Sequence, residues 1–178
     1  MKDQTATYDL KQILLHWASA VIIIWAMASG IAIGTLPMAD TTIELIAQFN
    51  VSITFVFIPF FAYRIFLRRT LSYPEYQTLS DRHARIALVI QRALYCLVSL
   101  VLISGVLMLD HPYQIFNLFE VPPVTTDTKV THAFKVVHSG SSYLLACLVG
   151  LHVTAAILHA VKGNEVFSRM LPSRRASL

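Results

Sequence analysis

The sequence predicts an all-α protein built as an integral membrane four-helix bundle. Only 13% of its 178 residues are charged, whereas an average soluble domain is about 25% charged. The mean hydropathy is +0.61. Because about 20 apolar residues cross a hydrocarbon core of about 30 Å, a long stretch without charge is a candidate membrane-spanning helix. Four such stretches lie between Lys11 and Asp40, Glu44 and Arg64, Arg92 and Asp110, and Lys135 and Lys162.

The same length rule predicts helices at about residues 12–34, 43–66, 86–108 and 137–161. The first apolar run exceeds the roughly 7–15 residues of a signal-peptide core, so we expect it to be kept as a helix. Pro59 lies inside the second helix, where we expect a kink because Pro leaves one backbone carbonyl without its helical donor. Runs such as Ile22–Trp25 do not alternate in polarity, which excludes a membrane β-barrel. The length predicts one domain over residues 1–178.

The positions of Lys and Arg predict how the bundle is oriented. Twelve of the fourteen lie in the two terminal segments and around the loop between the second and third helices, and the other two are Lys129 and Lys135. Cytoplasmic loops carry the excess of positive charge, so we expect both termini to be cytoplasmic. The loop from Asp110 to Thr131 is then outside, and its Pro122-Pro123 pair, with Phe116 and Phe119, predicts a structured cap. With so few charges the chain has no broad basic face, so membrane lipid is expected as a partner and nucleic acid is not.

Histidines inside the apolar segments are the candidate functional residues. Ionisable groups within a membrane are costly and tend to mark function, and His16, His138 and His152 lie in predicted helices. His138 and His152 are 14 residues apart, so they face nearly the same way and are separated by about 21 Å along the helix. His16 and His152 both lie toward the cytoplasmic side. We therefore expect them to meet across a gap between helices.

Two facing imidazoles favour haem over zinc. A zinc site normally has four ligands, often with Cys or carboxylate among them, whereas haem iron needs only two axial ligands from the protein. The sequence has no C-x-x-C-H motif, which excludes covalent c-type attachment. Small residues that would let a porphyrin approach serve tight helix packing equally well. These are Gly30, Gly105, Gly140 and Gly150.

Other classes of function stay open at this point. A proton or metal transporter with His as relay would favour acidic residues within the helices, and none lies deeper than Glu44. A purely structural membrane bundle has no need for His138 and His152 on one helix face. A haem-bearing membrane subunit of a dehydrogenase or hydrogenase is a further alternative, supported only by analogy of fold.

Short motifs occur along nearly the whole chain in a recognisable order. They are Leu14-Leu15-His16-Trp17, Arg64-x-x-x-Arg68, Lys135-x-x-His138, Gly150-Leu151-His152, His159 and Arg169-Met170-Leu171-Pro172. Each motif alone is weak, but as a set, in this order and at this spacing, they are specific. Together they resemble the bacterial cytochrome b561 family of four-helix membrane haem proteins.

The resemblance implies two b-type haems stacked across the membrane. His16 and His152 match the ligands of the cytoplasmic-side haem, between the first and fourth helices. His138 matches the fourth-helix ligand of the outer haem, whose other ligand should lie at the start of the second helix. That position holds Asn50, and no His occurs from Thr41 to Tyr63.

The replacement leaves three outcomes open for the outer site. The haem is absent, or it is five-coordinate on His138 with an open iron face near Asn50, or another residue substitutes. The candidate substitutes are His132, His111 and Met108. Because Asn is a poor axial ligand compared with imidazole, we expect an altered or missing outer haem.

The resemblance gives three basic residues candidate roles in cofactor binding. Arg64 and Arg68 are expected at the cytoplasmic face, where Arg forks bidentately onto carboxylates such as haem propionates. Simple positive-inside anchoring explains the same two residues equally well. Lys135 matches a family Lys at the outer surface, where it would attract an anion or a propionate.

The function implied by the resemblance is transmembrane electron transfer through haem b in a multi-pass protein of the bacterial inner (cytoplasmic) membrane. We expect an electron carrier of the respiratory chain more than a stand-alone enzyme, and we assign no catalytic residue. The expected partners are a quinone such as ubiquinone and a redox protein that the sequence does not identify, with a homodimer among the assemblies left open. Quinone-linked superoxide oxidation is an alternative, and the missing second-helix His disfavours it.

Overall fold

The structure, a computed structural model, describes residues 9–70 and 81–161, the first four residues of the second range as backbone only. The elements in chain order are α1 (Leu10–Thr35), α2 (Asp40–Thr70), α3 (Asp81–Leu107), β1 (Tyr113–Ile115), β2 (Phe119–Val121) and α4 (Thr128–Val161). Within these ranges all four helices are long and apolar enough to cross a membrane. The predicted all-α four-helix membrane class is confirmed. The motif Arg169–Pro172 and the charged residues Lys2, Lys162, Arg174 and Arg175 lie outside the described residues.

The predicted start of the fourth helix at residue 137 is wrong, because α4 begins at Thr128. Asp127 caps this helix, and its side-chain oxygen accepts a hydrogen bond of 2.8 Å from the backbone N–H of Lys129. Its carbonyl accepts a second bond, of 3.0 Å, from the N–H of Thr131. The length rule finds the part of a helix that crosses the hydrocarbon, whereas these capped turns extend beyond it. For the same reason α2 is longer than predicted, and it runs without a break through Pro59.

The predicted cap between the third and fourth helices is confirmed as a short β-hairpin. Its two strands are antiparallel, with Ile115 opposite Phe119. The turn puts Phe116 at a φ of 47°, which is unusual for a bulky side chain. Ser52 of α2 stabilises this turn, since its Oγ accepts from the N–H of Phe116 at 3.1 Å and donates to the carbonyl of Gln114 at 3.4 Å. The hairpin is thereby fixed to α2, and we call this side of the bundle the hairpin end.

Replacing Ser52 with Ala is expected to loosen the hairpin, because both hydrogen bonds are lost inside a buried contact. The expected cost is about 1–2 kcal/mol, measured as faster limited proteolysis of the hairpin in detergent. Ser29→Ala is the matched control, since Ser29 is also buried and its hydroxyl bonds only to its own helix, at the carbonyl of Ala26. Equal cleavage rates in the two variants would contradict this role for Ser52.

The helices pack as two pairs. In the described ranges α1 packs along α2 and α3 along α4, α2 makes a smaller contact with α3, and α4 makes no extensive backbone contact with α1 or α2. A buried cluster of Phe57, Phe61, Val98 and Leu145 lies near the middle of α2, α3 and α4. It separates the hairpin end from the opposite side, which carries Arg64 and Arg68 and which we call the arginine end.

The outer surface of the bundle is apolar along its length. Val21, Val89 and Leu151, from three different helices, are each at least 65% exposed. Exposed apolar side chains on every side of a long helix are typical of contact with lipid, because a helix that is hydrophobic all round is buried either in protein or in a membrane. Membrane lipid therefore surrounds the four helices.

Candidate functional site

The four helices line a cavity of about 220 Å³ in the hairpin-end half of the bundle. The lining is mostly apolar and includes Met27 of α1 and Leu102 of α3. Two of its polar members are His138 from α4 and Asn50 from α2. The structure therefore brings together the two residues that the sequence places at the outer haem site.

The His138 ring is fixed on one edge by α3. Its Nδ1 lies 3.0 Å from the carbonyl oxygen of Val101 and 3.4 Å from the hydroxyl of Ser104. Because a carbonyl can only accept, Nδ1 carries the proton, and in the neutral ring Nε2 is left unprotonated. This is the tautomer that metal-bound histidines adopt when a carbonyl holds their second nitrogen. His138 is therefore prepared to bind iron through Nε2.

Gly105 makes room for that ring. A Cβ atom at this position would lie 3.2 Å from Cε1 and 3.3 Å from Nδ1 of His138, closer than ordinary side-chain contact. Of the other glycines that the sequence indicates for porphyrin approach, Gly30 lines the cavity, whereas Gly140 and Gly150 are exposed. Gly105 thus leaves space for the His138 imidazole. The sequence indicates it only as a small residue that would let a porphyrin approach.

Asn50 has an unsatisfied side chain at the cavity. Its Oδ1 is buried and has no hydrogen-bond partner among the described residues, although its backbone carbonyl accepts from Thr54 Oγ1 at 2.7 Å. A buried acceptor without a partner costs about 1–3 kcal/mol. The amide is therefore placed where a group that is not part of this chain would complete the cavity.

The candidate substitutes for the missing ligand are in different places. His111 is exposed and its Nδ1 lies 2.6 Å from the carboxylate of Asp110. His132 is also exposed, and within the described ranges neither histidine lines the cavity. Met108 does line it. The donor set thus fits a haem held by His138, and the described lining offers no second imidazole, although it includes the Asn50 amide and the Met108 thioether.

The arginine end brings together His16, His152 and Arg64. The Nη2 of Arg64 lies 2.8 Å from Nδ1 of His16. Both His152 and Arg64 interact electrostatically with His16, and Arg64 also interacts with His152. The three side chains come from α4, α2 and α1, and α1 and α4 do not pack closely here. Two imidazoles from facing helices, with a gap between the helices, fit the donor set of a haem with two axial histidines.

The contact between Arg64 and His16 determines which nitrogen of the His16 ring carries the proton. A guanidinium has donors only, so Arg64 donates and His16 accepts at Nδ1, which puts the proton of the neutral ring on Nε2. Iron binding through Nε2 requires the opposite tautomer. Arg64 would therefore have to leave Nδ1 for His16 to hold a haem through Nε2, and its fork would then be available to a carboxylate nearby.

Arg64 and Arg68 are held side by side by an aromatic ring. Their guanidinium carbons lie 5.3 Å and 5.6 Å from the centroid of the Tyr95 ring on α3, within the range of cation–π attraction. Both arginines are half-buried, so their side chains are not simply solvated at the membrane surface. A pair of arginines ordered in this way is suited to bind two carboxylates.

Lys135 lies apart from the cavity, exposed near the start of α4. The hydrogen bond from His111 holds the pKa of Asp110 below its ordinary value, and the charge of Lys135 acts in the same direction. Lys135 and the Asp110–His111 pair thus form a polar surface at the hairpin end.

A comparison with known families gives independent information on the whole chain. The family model for prokaryotic cytochrome b561 matches residues 7–173. The chain belongs to the prokaryotic cytochrome b561 family. Membership makes this cytochrome b561 a multi-pass bacterial membrane protein whose family transfers electrons across the membrane through b-type haem. No curated protein matches the chain.

The sequence did not indicate every residue that shapes the two sites of this cytochrome b561. The Val101 carbonyl that fixes His138 is a backbone group, so no residue type reports it. Tyr95 is one of seven tyrosines, and only the packing of α2 on α3 reveals that it lies under both arginines. The spacing of Arg64 and Arg68, four residues apart on one helix face, was the available signal that they act together.

Proposed function

We propose that this cytochrome b561 carries electrons across the bacterial inner membrane and exchanges them with a quinone such as ubiquinone. The observation that carries the proposal is the grouping of His16 and His152 around Arg64, which hydrogen-bonds His16 at 2.8 Å and interacts electrostatically with both histidines. Haem b bound there supplies reversible one-electron chemistry. Two imidazole ligands leave no open iron position, which favours electron transfer over binding of oxygen.

The chain's own residues would prepare this haem in distinct ways. His16 and His152 fix its position from two helices, so that little rearrangement accompanies a change of charge. Arg64 and Arg68, ordered over Tyr95, would hold the two propionates. The buried Phe57 and Phe61 exclude water from the middle of the bundle, and burial is one of the means by which a protein tunes a haem potential.

At the hairpin end we propose that the haem site departs from the two-histidine pattern. His138 supplies one imidazole, and Asn50 stands where the second would be expected. Lys135, exposed beside Asp110, is proposed to attract anions to this face. Superoxide oxidation at this end is not part of the proposal, because no observation on the described residues favours it.

The proposal is tested by optical spectroscopy of the purified protein reconstituted into vesicles. We expect a Soret band that shifts on reduction and electron transfer from an added ubiquinol to an acceptor enclosed in the vesicle. Protein-free vesicles give the background rate. A colourless protein would overturn the haem assignment, whereas a haem that dithionite reduces and ubiquinol does not would overturn only the quinone.

A further inference from the structure

We propose that the hairpin-end cavity holds a five-coordinate haem on His138, whose free iron face binds a small neutral diatomic ligand beside Asn50. The inference rests on the proposed function, since it requires haem in this cytochrome b561. It assigns the cavity a ligand-binding role in addition to electron transfer. Three features of the described residues carry it: the fixed imidazole, the position of Asn50 and the position of Met108.

The first feature is the single prepared imidazole. His138 is the only histidine among the described residues that line the cavity, and its Nδ1–H is held by the Val101 carbonyl at 3.0 Å. The ring cannot turn without breaking that bond, and it lies in the space that the missing Cβ of Gly105 leaves beside α3. One strong axial ligand of fixed direction is therefore available.

The second feature is what lies across the cavity from His138. The sixth ligand of a haem must approach from the side opposite the first, away from the helix that carries it. α3 packs along α4 and holds the His138 ring, whereas α2 and α4 are not in extensive contact. Residues of α1 and α2 complete the cavity wall, so we infer that the sixth ligand would approach from α2. Asn50 is the α2 residue with a buried polar atom lacking a partner there. Asn is absent from the usual axial ligands of haem iron, which are His, Cys, Met and Tyr.

The third feature is that Met108 is on the wrong side to replace the missing ligand. It lies directly after α3, which ends at Leu107, and its backbone N–H bonds to the Ser104 carbonyl at 2.9 Å. Met108 is three residues beyond Gly105, the position where a Cβ would crowd the His138 ring. A side chain from this end of α3 would therefore approach a porphyrin held by His138 from the α3 side. Met108 is therefore a wall of the cavity, and the iron face toward α2 stays open.

The chemistry around that open face selects the kind of ligand. The surrounding residues, such as Ile22 and Phe55, are apolar, which favours a neutral ligand over an anion because burying an unpaired charge is costly. The Asn50 side chain also carries an amide N–H₂ group, the kind of donor from which a diatomic ligand on the iron would accept a hydrogen bond. Polarity and hydrogen-bond donors on the open side are what determine ligand binding by haem.

The test uses carbon monoxide as the probe on the dithionite-reduced, haem-loaded protein. We expect a carbon monoxide difference spectrum from about half of the haem, the fraction that one of two sites contributes. Asn50→His should abolish it by supplying a second imidazole, with the haem content unchanged. His138→Ala should abolish it with loss of about half of the haem. Met108→Leu is the matched control and should leave the difference spectrum unchanged.

Several results would overturn the inference. These are two haems per chain without carbon monoxide binding, one haem without such binding, or binding that persists in His138→Ala. Carbon monoxide binding gained only in Met108→Leu would show that Met108 is the sixth ligand. The wild-type measurement decides by itself even where a variant fails to fold. If a low-spin haem signal persists in these cases, the proposed electron-transfer function is still supported. A colourless protein would contradict both the proposed function and this inference.

Discussion

Replacing His152 with Ala is expected to remove the haem at the arginine end while the site at His138 keeps its own. In the proposed site His16 and His152 would both hold the haem, so His152→Ala would leave His16 without its partner on α4. Arg64 already hydrogen-bonds Nδ1 of His16 at 2.8 Å, so the remaining imidazole has a competing partner. Loss of even an outer-shell partner typically costs about 10–100-fold in metal affinity, and loss of a direct ligand is expected to cost more.

The measurement for His152→Ala is haem per chain together with the reduced-minus-oxidised spectrum. His159→Ala is the matched control, because His159 lies seven residues further along α4, close to the same face. We expect His159→Ala to keep the full haem content and His152→Ala to lose the low-spin signal. A His152→Ala spectrum identical to that of the natural chain would refute the ligand assignment.

The positions of the charged residues predict most of the fold. A membrane interior admits few charged side chains, so the charge-free stretches predict four spanning helices almost directly. The same reasoning could not predict that α4 begins at Thr128, because the Asp127 cap forms outside the apolar stretch. It also could not predict how Ser52 fixes the hairpin, since that contact joins residues more than 60 positions apart.

The candidate sites were predictable in their residue types and not in their contacts. His16, His138 and His152 stand out because imidazoles are rare in apolar helices. The contact from Arg64 to His16 depends on how α1 packs along α2, and the bond from His138 to Val101 depends on how α3 packs along α4. Packing angles and helix rotations are not encoded in a short motif, so these partners appear only in three dimensions.

The contacts change what the two ends of the bundle are expected to do. At the arginine end two histidines interact with the same arginine, and His16 would have to exchange its bond to Arg64 in order to bind iron through Nε2. At the hairpin end one histidine is held in the iron-binding tautomer and the opposite position offers an amide. His16 of α1 and His138 of α4 thus have different hydrogen-bond partners, an arginine and a backbone carbonyl. This difference agrees with the proposal of a two-histidine site at one end and an open site at the other.

Gly105→Val is expected to disable the hairpin-end site without affecting the arginine end. The new Cβ alone would lie 3.2 Å from Cε1 of His138, and the two further methyl groups of Val leave the ring no place beside α3. The imidazole must then move, which breaks its bond to the Val101 carbonyl and turns Nε2 away from its present direction. An effect of about 10–100-fold on haem affinity at this site is expected, as for other losses of a partner that orients a metal ligand.

Gly140→Val separates this steric effect from any general effect of removing a helical glycine. Gly140 lies on α4 two residues after His138, and a Cβ there would meet nothing within 4 Å. Both substitutions replace Gly by Val in a helix, so their effects on helix propensity are alike. We expect the control to keep the haem content and the carbon monoxide spectrum of the natural chain, while Gly105→Val loses the hairpin-end contribution to both. Equal haem content in the two variants would mean that the His138 ring moves freely, and the role of Gly105 in holding the iron ligand would have to be abandoned.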